Sequence, residues 1–193
     1  MRVMRAITNL LLTGVPRVGK TTVIKQVIDG AGLPFGGFYT EEIREGDQRV
    51  GFRIITTDGK EGILAHVRIR SRYVVGKYGV NIEDVKSVAM PAIQRALDEG
   101  KVIVIDEIAS MELYCPGFPE LVIQCLDSPQ PLLGAIQLKP LPFLKRIRER
   151  EDVEVINVTP FNRNELPSIV SKRLWEMWLQ WRSSLQQMRC SGS

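Results

Sequence analysis

The feature that most constrains this chain is an eight-residue segment close to its start, Gly14-Val-Pro-Arg-Val-Gly-Lys-Thr21. It follows an apolar run, Ile7 to Leu12, and it precedes apolar residues at helical spacing, namely Val23, Ile24, Val27 and Ile28. A buried strand, a tight glycine-containing turn and an amphipathic helix in direct succession are typical of α/β domains with parallel strands. The start of the chain therefore predicts a strand-loop-helix unit.

The same segment matches the phosphate-binding loop pattern G-x-x-x-x-G-K-[ST] in the strand-helix context that this pattern requires. Its two glycines allow the backbone to wrap an anion with successive N–H groups, and the positive end of the following helix points to the same place. In this motif Lys20 reaches the β and γ phosphates of a nucleotide, and the Thr21 hydroxyl ligates Mg²⁺.

A second motif, Val102-Ile-Val-Ile-Asp106-Glu107, is an apolar strand that ends in two carboxylates. In phosphate-loop enzymes the terminal Asp of such a strand holds magnesium, so Asp106 is the predicted partner of Thr21. Glu107 is predicted to polarise an attacking water as a general base. No D-x-x-G follows Asp106 and no N-K-x-D occurs in the chain, which disfavours guanine-specific switch GTPases and favours loose base selectivity.

The rest of the chain alternates strands and helices, which predicts an α/β P-loop NTPase three-layer sandwich with a mainly parallel sheet. The stretch Gly37 to His66 changes to a period of two and predicts an antiparallel meander after the first helix. We expect the strand Leu132 to Leu138 to separate the loop strand from the Asp106 strand. In that order Gln137 and Lys139 would face the γ-phosphate. Helices are predicted at Asn81 to Glu99, Phe118 to Leu126, Pro142 to Arg150 and from Asn164 onward.

Composition narrows the class of protein. The 193 residues, 44% of them hydrophobic and 25% charged, predict one soluble domain over residues 1–182, with a loosely ordered polar tail over 183–193. The net charge of +4 is weak for non-specific nucleic-acid binding, so a nucleic-acid partner is possible but not favoured, with Lys145 to Arg150 as its best candidate surface. Three scattered cysteines without CxxC spacing predict a reducing cytoplasm. No membrane association is expected, and a monomer is favoured.

Five segments together resemble the THEP-type nucleoside-triphosphatases, a family that also includes the cancer-related nucleoside-triphosphatase. They occur in the family's order and span roughly residues 5–175: Gly14 to Thr22, Gly37 to Arg44, Val75 to Val80, Val104 to Ile108 with Met111-Glu-Leu113, and Val158 to Arg163. The resemblance implies slow, Mg²⁺-dependent hydrolysis of ATP, GTP and other nucleoside triphosphates to the diphosphate and phosphate. It also implies structural kinship to nucleotide kinases.

The resemblance implies two nucleotide-contacting segments. Their members are Gly14, Val15, Pro16, Arg17, Val18, Gly19, Lys20, Thr21 and Thr22 in the first, and Val102, Ile103, Val104, Ile105, Asp106, Glu107, Ile108 and Ala109 in the second. Lys20 and Glu107 are the catalytic candidates, and Thr21 with Asp106 forms the metal site. The chain departs from the family at Arg17, where Gly is common, and at Ala109-Ser110, where Gly-Lys is usual.

Further cations are candidates for a role near the nucleotide. His66, Arg68, Arg70 and Arg72 alternate with small or apolar residues, which predicts one basic face of a strand, or else a solvated surface. Arg72 or Lys77 could sit on a lid, and Arg163 could stack on the nucleobase or simply lie on the surface. Two other functions stay open: a nucleotide or small-molecule kinase, and a nucleotide-gated nucleic-acid-binding module.

Overall fold

A computed structural model describes residues 6–190 and forms a nine-stranded sheet within them. The strands are β1 (Asn9–Thr13), β2 (Phe35–Glu45), β3 (Gln48–Thr56), β4 (Glu61–His66), β5 (Val74–Val75), β6 (Tyr78–Val80), β7 (Val102–Ile108), β8 (Leu132–Ile136) and β9 (Val153–Asn157). The helices are α1 (Lys20–Gly30), α2 (Ile82–Asp84), α3 (Met90–Asp98), α4 (Phe118–Asp127), α5 (Pro142–Arg148) and α6 (Leu166–Cys190).

The strands are ordered β5-β6-β4-β3-β2-β7-β8-β1-β9. β2, β7, β8, β1 and β9 pair in parallel, and the antiparallel meander β2-β3-β4 continues the sheet on one side. β8 lies between β7 and β1, as the sequence predicts. The phosphate-binding loop after β1 and the carboxylates of β7 therefore come to the same edge of the sheet, one strand apart.

Helices cover both faces of the sheet. On one face α1 and α6 bury Ile24, Val27, Val170 and Leu174 in a shared core, and on the other face α3, α4 and α5 supply the opposite core. Ile93, Phe118 and Ile147 belong to this second core. The burial of Val23, Ile24 and Val27 on α1 follows the predicted helical spacing. The predicted three-layer architecture is confirmed.

The predicted continuous helix from Asn81 to Glu99 is interrupted. Asn81 does cap it, because its side chain accepts a hydrogen bond from the backbone N of Asp84. Val85–Ala89 is then a wider π-helical segment, and the backbone N of Met90 bonds to the carbonyl of Val85. Pro91 lacks the N–H that a regular helix needs at this point, and a π-helical turn is a common way to absorb such a break.

The prediction that His66 to Arg72 continues as a strand is wrong. β4 ends at His66, where the backbone N of Ile69 donates to the carbonyl of His66 (3.2 Å) and the N of Arg68 donates to its Nδ1 (3.1 Å). The turn brings Ile69 against β6, so closely that a Cβ on Gly79 would lie 2.0 Å from the Ile69 carbonyl oxygen. The four basic side chains therefore do not share a strand face.

The predicted domain boundary at residue 182 falls inside α6, which continues to Cys190. Residues 191–193 of the predicted tail lie outside the described residues. The division into a domain and a tail stays a prediction. Among residues 6–190, no helix combines the length and the apolar character that crossing a membrane requires.

Candidate functional site

The loop between β1 and α1 depends on backbone conformations that favour glycine. Gly14 has φ 147° and Gly19 has φ 114°, and a Cβ on Gly14 would lie 2.7 Å from the carbonyl oxygen of Val158. Arg17 also lies in the left-handed region, with φ 66°, where a non-glycine residue is uncommon. The glycine that the family often has at this position suits that conformation better.

Lys20 and Thr21 begin α1 and point to the carboxylates of β7. Lys20 Nζ donates to the carbonyl oxygen of Gly14 (3.3 Å) and lies 3.7 Å from Glu107 Oε1. The Thr21 hydroxyl donates to Asp106 Oδ2 (2.6 Å). The peptide bond between Asp106 and Glu107 is cis. The four side chains that the sequence assigns to catalysis and metal binding are therefore brought together.

Burial raises the pKa of both carboxylates. Desolvation, together with the charge of Glu107, raises the pKa of Asp106 to about 7, although Thr21 and Lys20 oppose the shift. Desolvation likewise raises the pKa of Glu107 above its usual value, and the charge of Lys20 opposes it. Asp106 is thus buried and Glu107 half-buried, and among the described residues the one cation shown to act on both of them is Lys20.

Glu112 is a third buried carboxylate nearby, only 2% exposed, in the short 3₁₀ turn after β7. Its Oε2 has no hydrogen-bond partner among the described residues. Desolvation, helped by the charges of Glu107 and Asp106, raises its pKa to about 8, although backbone hydrogen bonds oppose the shift. The resemblance includes this residue as part of Met111-Glu-Leu113, but sequence reasoning gives it no role.

A cavity of about 810 Å³ opens between the phosphate-binding loop and strands β2, β3 and β6. The residues lining it that the sequence predicts to bind nucleotide or metal are Pro16, Arg17, Gly19, Lys20, Thr21, Thr22, Glu107 and Ala109. Lining residues without a predicted site role are Lys25, Thr40, Glu41, Glu42, Arg44, Arg49, Phe52, Leu64, Val75, Gly76, Tyr78, Ser110, Met111 and Glu112. Gln137, a predicted γ-phosphate sensor, lines it as well.

The second predicted nucleotide-binding segment divides in two. Val102, Ile103, Val104 and Ile105 are completely buried in β7, between neighbouring strands and the helix layers, and none of them lines the cavity. Their side chains, like that of Ile108, pack into the two cores because the strand lies inside the sheet, and direct contact of these residues with a nucleotide stays a prediction. Their place in the fold is to hold Asp106 and Glu107 at the edge of the sheet.

The remaining candidates are split between the cavity and other places. Gln137 accepts hydrogen bonds from the backbone N (3.2 Å) and the hydroxyl (2.7 Å) of Ser110. Lys139, the other proposed sensor, lines a separate small cavity. Arg163 donates to the carbonyl oxygen of Val18 (3.5 Å) and packs beside Gly19, but it does not line the cavity.

Neither predicted lid cation lines the main cavity. Arg72 lies over the ring of Tyr73 and lines another small cavity, while Lys77 lies over the ring of Tyr78. The turn between β5 and β6 does reach the main cavity through Gly76. Of the basic stretch after Leu144, Arg148 donates to the carbonyl oxygen of Gln137. The side chains proposed for nucleic-acid contact are thus partly engaged within the chain.

Sequence reasoning missed the cation Arg49, which lies on β3 and lines the cavity with Phe52 and Tyr78. The resemblance could have pointed to its neighbours, because the segments Gly37 to Arg44 and Val75 to Val80 carry several of the lining residues. Arg49 itself lies outside both segments.

A family model described as NTPase matches residues 9–171. The chain belongs to this family. Among its relatives, nucleoside-triphosphatase THEP1 of Thermotoga maritima is 44% identical over 161 residues, covering 82% of this chain and 90% of that protein. The human cancer-related nucleoside-triphosphatase is 41% identical over 180 residues, covering 84% of this chain and 95% of that protein.

Two solved structures of NTPase family members are similar to the chain. The crystal structure of THEP1 from Aquifex aeolicus gives a TM-score of 0.80 at 38% identity, covering 86% of this chain and 98% of that one. The solution structure of a human cancer-related nucleoside triphosphatase gives a TM-score of 0.71 at 38% identity, covering 86% of this chain and 96% of that one. The predicted membership, the P-loop α/β fold and the assignment as a nucleoside-triphosphatase are confirmed.

Proposed function

We propose that the chain hydrolyses nucleoside triphosphates to the diphosphate and phosphate in an Mg²⁺-dependent reaction, with loose selectivity for the base. The observation that carries the proposal is the meeting of four side chains at one edge of the sheet. Thr21 donates to Asp106 over 2.6 Å, and Lys20 lies 3.7 Å from Glu107, directly beside the phosphate-binding loop.

The residues present fit a magnesium ion. Thr21 and Asp106 offer a hydroxyl and a carboxylate oxygen side by side, and oxygen ligands are those that Mg²⁺ prefers. Within residues 6–190 no group of three or more His, Cys, Asp or Glu side chains could hold a metal by itself. Mg²⁺ does not need such a group, because it usually binds one or two protein oxygens together with oxygens of the substrate phosphates.

The buried position of Asp106 supports the same assignment, because desolvation raises its pKa to about 7 and a cation bound beside it would stabilise the ionised carboxylate. The bound ion would neutralise charge on the phosphates of the substrate. The chain's own residues hold and orient the nucleotide. The backbone N–H groups from Gly14 to Thr21 cradle the phosphates, and Lys20 shifts from Glu107 and Gly14 to the β and γ phosphates.

Glu107 orients the attacking water and accepts its proton. Its carboxylate lines the cavity beside Lys20, and its raised pKa makes it a stronger base than an exposed glutamate. The developing negative charge on the γ-phosphate falls between Lys20 and the loop N–H groups, whose positions the fold fixes in advance. Arg163, beside the loop at Val18, can stack on any base without reading its edges, which suits loose selectivity.

We propose that the protein works in the cytoplasm. Cys115 and Cys125 are buried free thiols, which suits a reducing compartment.

The experiment that tests the proposed function compares Glu107→Gln with the parent protein. We expect the variant to bind MgATP near normally, because the loop and Lys20 are intact, while phosphate release falls by roughly 10²- to 10⁴-fold. Lys20→Ala should lose both binding and turnover. Calorimetry measures the binding, and a phosphate-release assay with ATP, GTP, CTP and UTP measures turnover and base selectivity.

Glu149→Gln, at an exposed position directly after α5, serves as a control and should leave turnover unchanged. A Glu107→Gln variant that releases phosphate at the parental rate would overturn the assignment of Glu107. The assay also separates hydrolysis from a kinase reaction. Phosphate released without any added acceptor supports the hydrolase, whereas release that requires a nucleoside or metabolite supports a kinase.

A further inference from the structure

The cavity has a second wall that the proposed hydrolysis does not use. This far wall consists of Glu42 and Arg44 on β2, Arg49 and Phe52 on β3, and Tyr78 on β6. Small-molecule sites typically measure about 300 to 1,000 Å³, and the volume of about 810 Å³ extends from the phosphate-binding loop to these strands. A triphosphate held by the loop occupies only the end of the cavity beside Lys20 and Glu107.

Three guanidinium groups converge on the carboxylate of Glu42. The distances are 2.7 Å from Arg49 Nη1, 2.8 Å from Arg44 Nη1 and 3.5 Å from Arg17 Nε. Burial raises the pKa of Glu42, but hydrogen bonds from Arg49 and Arg44 outweigh this and hold it below its ordinary value. One carboxylate thus faces three positive charges inside a cavity, so the far wall has an excess of positive charge suited to an anion.

Arg49 is held in place before any ligand arrives. Its Nε donates to the hydroxyl of Tyr78 (3.0 Å), and its guanidinium carbon lies 4.9 Å from the ring centroid of Phe52 and 5.7 Å from that of Tyr78. The two rings meet edge to face at 5.3 Å. A fixed guanidinium loses little conformational entropy on binding and matches the geometry of a phosphate group.

An apolar strip continues from Arg49 along the cavity, formed by Phe52, Leu64 and Val75. Such a strip next to a cationic cluster fits a molecule with a phosphate at one end and an apolar or ring-bearing body at the other. In the proposed function the nucleoside of the substrate stacks on Arg163, which does not line the cavity. The far wall is therefore left for another molecule.

We propose that the far wall is a binding subsite for a second small molecule, a phosphate monoester with a ring-bearing body, such as a nucleoside monophosphate. Its phosphate takes the place of the Glu42 carboxylate on Arg44 and Arg49, and its body packs on Phe52, Leu64 and Val75. The proposal rests on the place that the proposed function gives to the nucleoside, but it concerns binding alone and does not require hydrolysis. It can fail while the proposed hydrolysis holds, and the reverse is equally possible.

Calorimetry with AMP as the probe tests the proposal, using the full chain saturated with a non-hydrolysable MgATP analogue. We expect AMP to bind one-to-one in the presence of the analogue, whereas adenosine, which lacks the phosphate, does not. Arg49→Gln should weaken AMP binding at least tenfold. The matched control is Arg53→Gln, a residue on the same strand that pairs with Glu41 and does not line the cavity, and it should bind AMP as the parent does.

Glu42→Gln should change AMP affinity in the opposite direction from Arg49→Gln. Because Glu42 competes with the ligand phosphate for the same guanidinium groups, its neutralisation should tighten AMP binding several-fold. If Arg49 and Glu42 served only to stabilise the structure, Arg49→Gln and Glu42→Gln would both weaken AMP binding. Retained binding of the MgATP analogue shows that each variant is folded.

Three results would each overturn the proposal. One is displacement of AMP by the MgATP analogue, which would place AMP at the nucleotide site. The others are equal AMP affinity in Arg49→Gln and Arg53→Gln, and weaker AMP binding in Glu42→Gln than in the parent.

Discussion

Ser110 fixes the direction in which Gln137 presents its amide. Both hydrogen bonds between the two residues end on Gln137 Oε1, so the amide NH₂ is the group available to the cavity. An N–H donor at the end of β8 is suited to a γ-phosphate oxygen. The resemblance implies that relatives often have Lys at this position, whereas this chain has a serine whose hydroxyl orients a neutral donor.

We predict that Ser110→Ala lowers kcat by about fivefold with little change in KM, since one neutral hydrogen bond contributes about 1 kcal/mol. Steady-state kinetics with MgATP measures both constants. Gln137→Glu, which exchanges the donor for a negative charge, should cost considerably more turnover. If Ser110→Ala has the parental kcat, orientation of Gln137 does not contribute to the reaction.

Glu112 connects protonation to stability. In the unfolded chain it ionises near its ordinary pKa of 4.5, whereas in the folded chain its pKa is about 8. Between these values the folded state binds more protons, so the contribution of Glu112 to stability decreases as the pH rises. Glu112→Gln cannot ionise and should not show this contribution.

In metal-free buffer we therefore expect Glu112→Gln to become more stable relative to the parent from pH 5 to pH 8, by a few kcal/mol at pH 8. Urea unfolding at several pH values measures the difference. The control is Glu83→Gln on the exposed side of α2, for which the difference from the parent should not change with pH. A constant difference for Glu112→Gln would contradict the raised pKa.

At the scale of elements, Gln130 joins the end of α3 to the start of β7. Its side chain is 5% exposed, and its Nε2 contacts the carbonyl oxygens of Ala96 (3.1 Å), Leu97 (3.2 Å) and Lys101 (3.3 Å). At this helix end the carbonyl groups of Ala96 and Leu97 also accept from the backbone N of Lys101 (3.0 Å) and of Gly100 (3.3 Å), so Gln130 adds a second donor to each of them.

We predict that Gln130→Leu lowers the free energy of unfolding by about 1 to 3 kcal/mol, because it removes the buried hydrogen bonds that Gln130 Nε2 donates to these carbonyl groups. Gln94→Ala, on the exposed side of α3, should change it by less than about 0.5 kcal/mol. Chemical denaturation measures both variants. Equal effects of the two substitutions would show that the carbonyl contacts of Gln130 contribute nothing.

Elements whose signals are local could be predicted from the sequence. Ile24 and Val27 show the period of α1, and Asp106 follows an apolar run that can only be a buried strand. The site around Lys20 and Glu107 was predictable for the same reason, since each motif is continuous in the chain. The far wall was not, because Arg49 meets Tyr78 only through the pairing of β3, β4 and β6. Sequence spacing does not determine such contacts.

At the scale of the whole molecule, the site is a consequence of strand order. β1, β8 and β7 are parallel neighbours, so the loop after Thr13, the Gln137 amide and the Asp106-Glu107 pair arrive at one edge of the sheet. Ligands of open α/β sheets bind at this carboxyl edge. The antiparallel strands β3, β4 and β6 extend the sheet past β2, and the cavity follows them.

The C-terminal part of α6 shows how far along the chain residues are needed for the folded domain. Met177 and Trp181 are each 8% exposed, and the ring of Trp181 would lie 3.1 Å from a Cβ on Gly100. Beyond Arg182 the described side chains up to residue 187 are exposed or half-buried. The packing contribution of α6 to the core therefore ends near Trp181, close to the domain boundary that the sequence predicts.

We predict that a chain ending at Arg182 keeps the free energy of unfolding within about 1 kcal/mol of the full chain, because it loses mostly exposed surface. Trp181→Ala in the full chain should cost about 3 to 5 kcal/mol, since it opens a cavity under the helix. Most small domains have only about 5 to 15 kcal/mol of stability, so removal of both Met177 and Trp181 by a shorter truncation should prevent stable folding. Thermal and chemical unfolding measure all three. A chain ending at Arg182 that is destabilised as much as Trp181→Ala would mean that residues 183–193 belong to the folded domain.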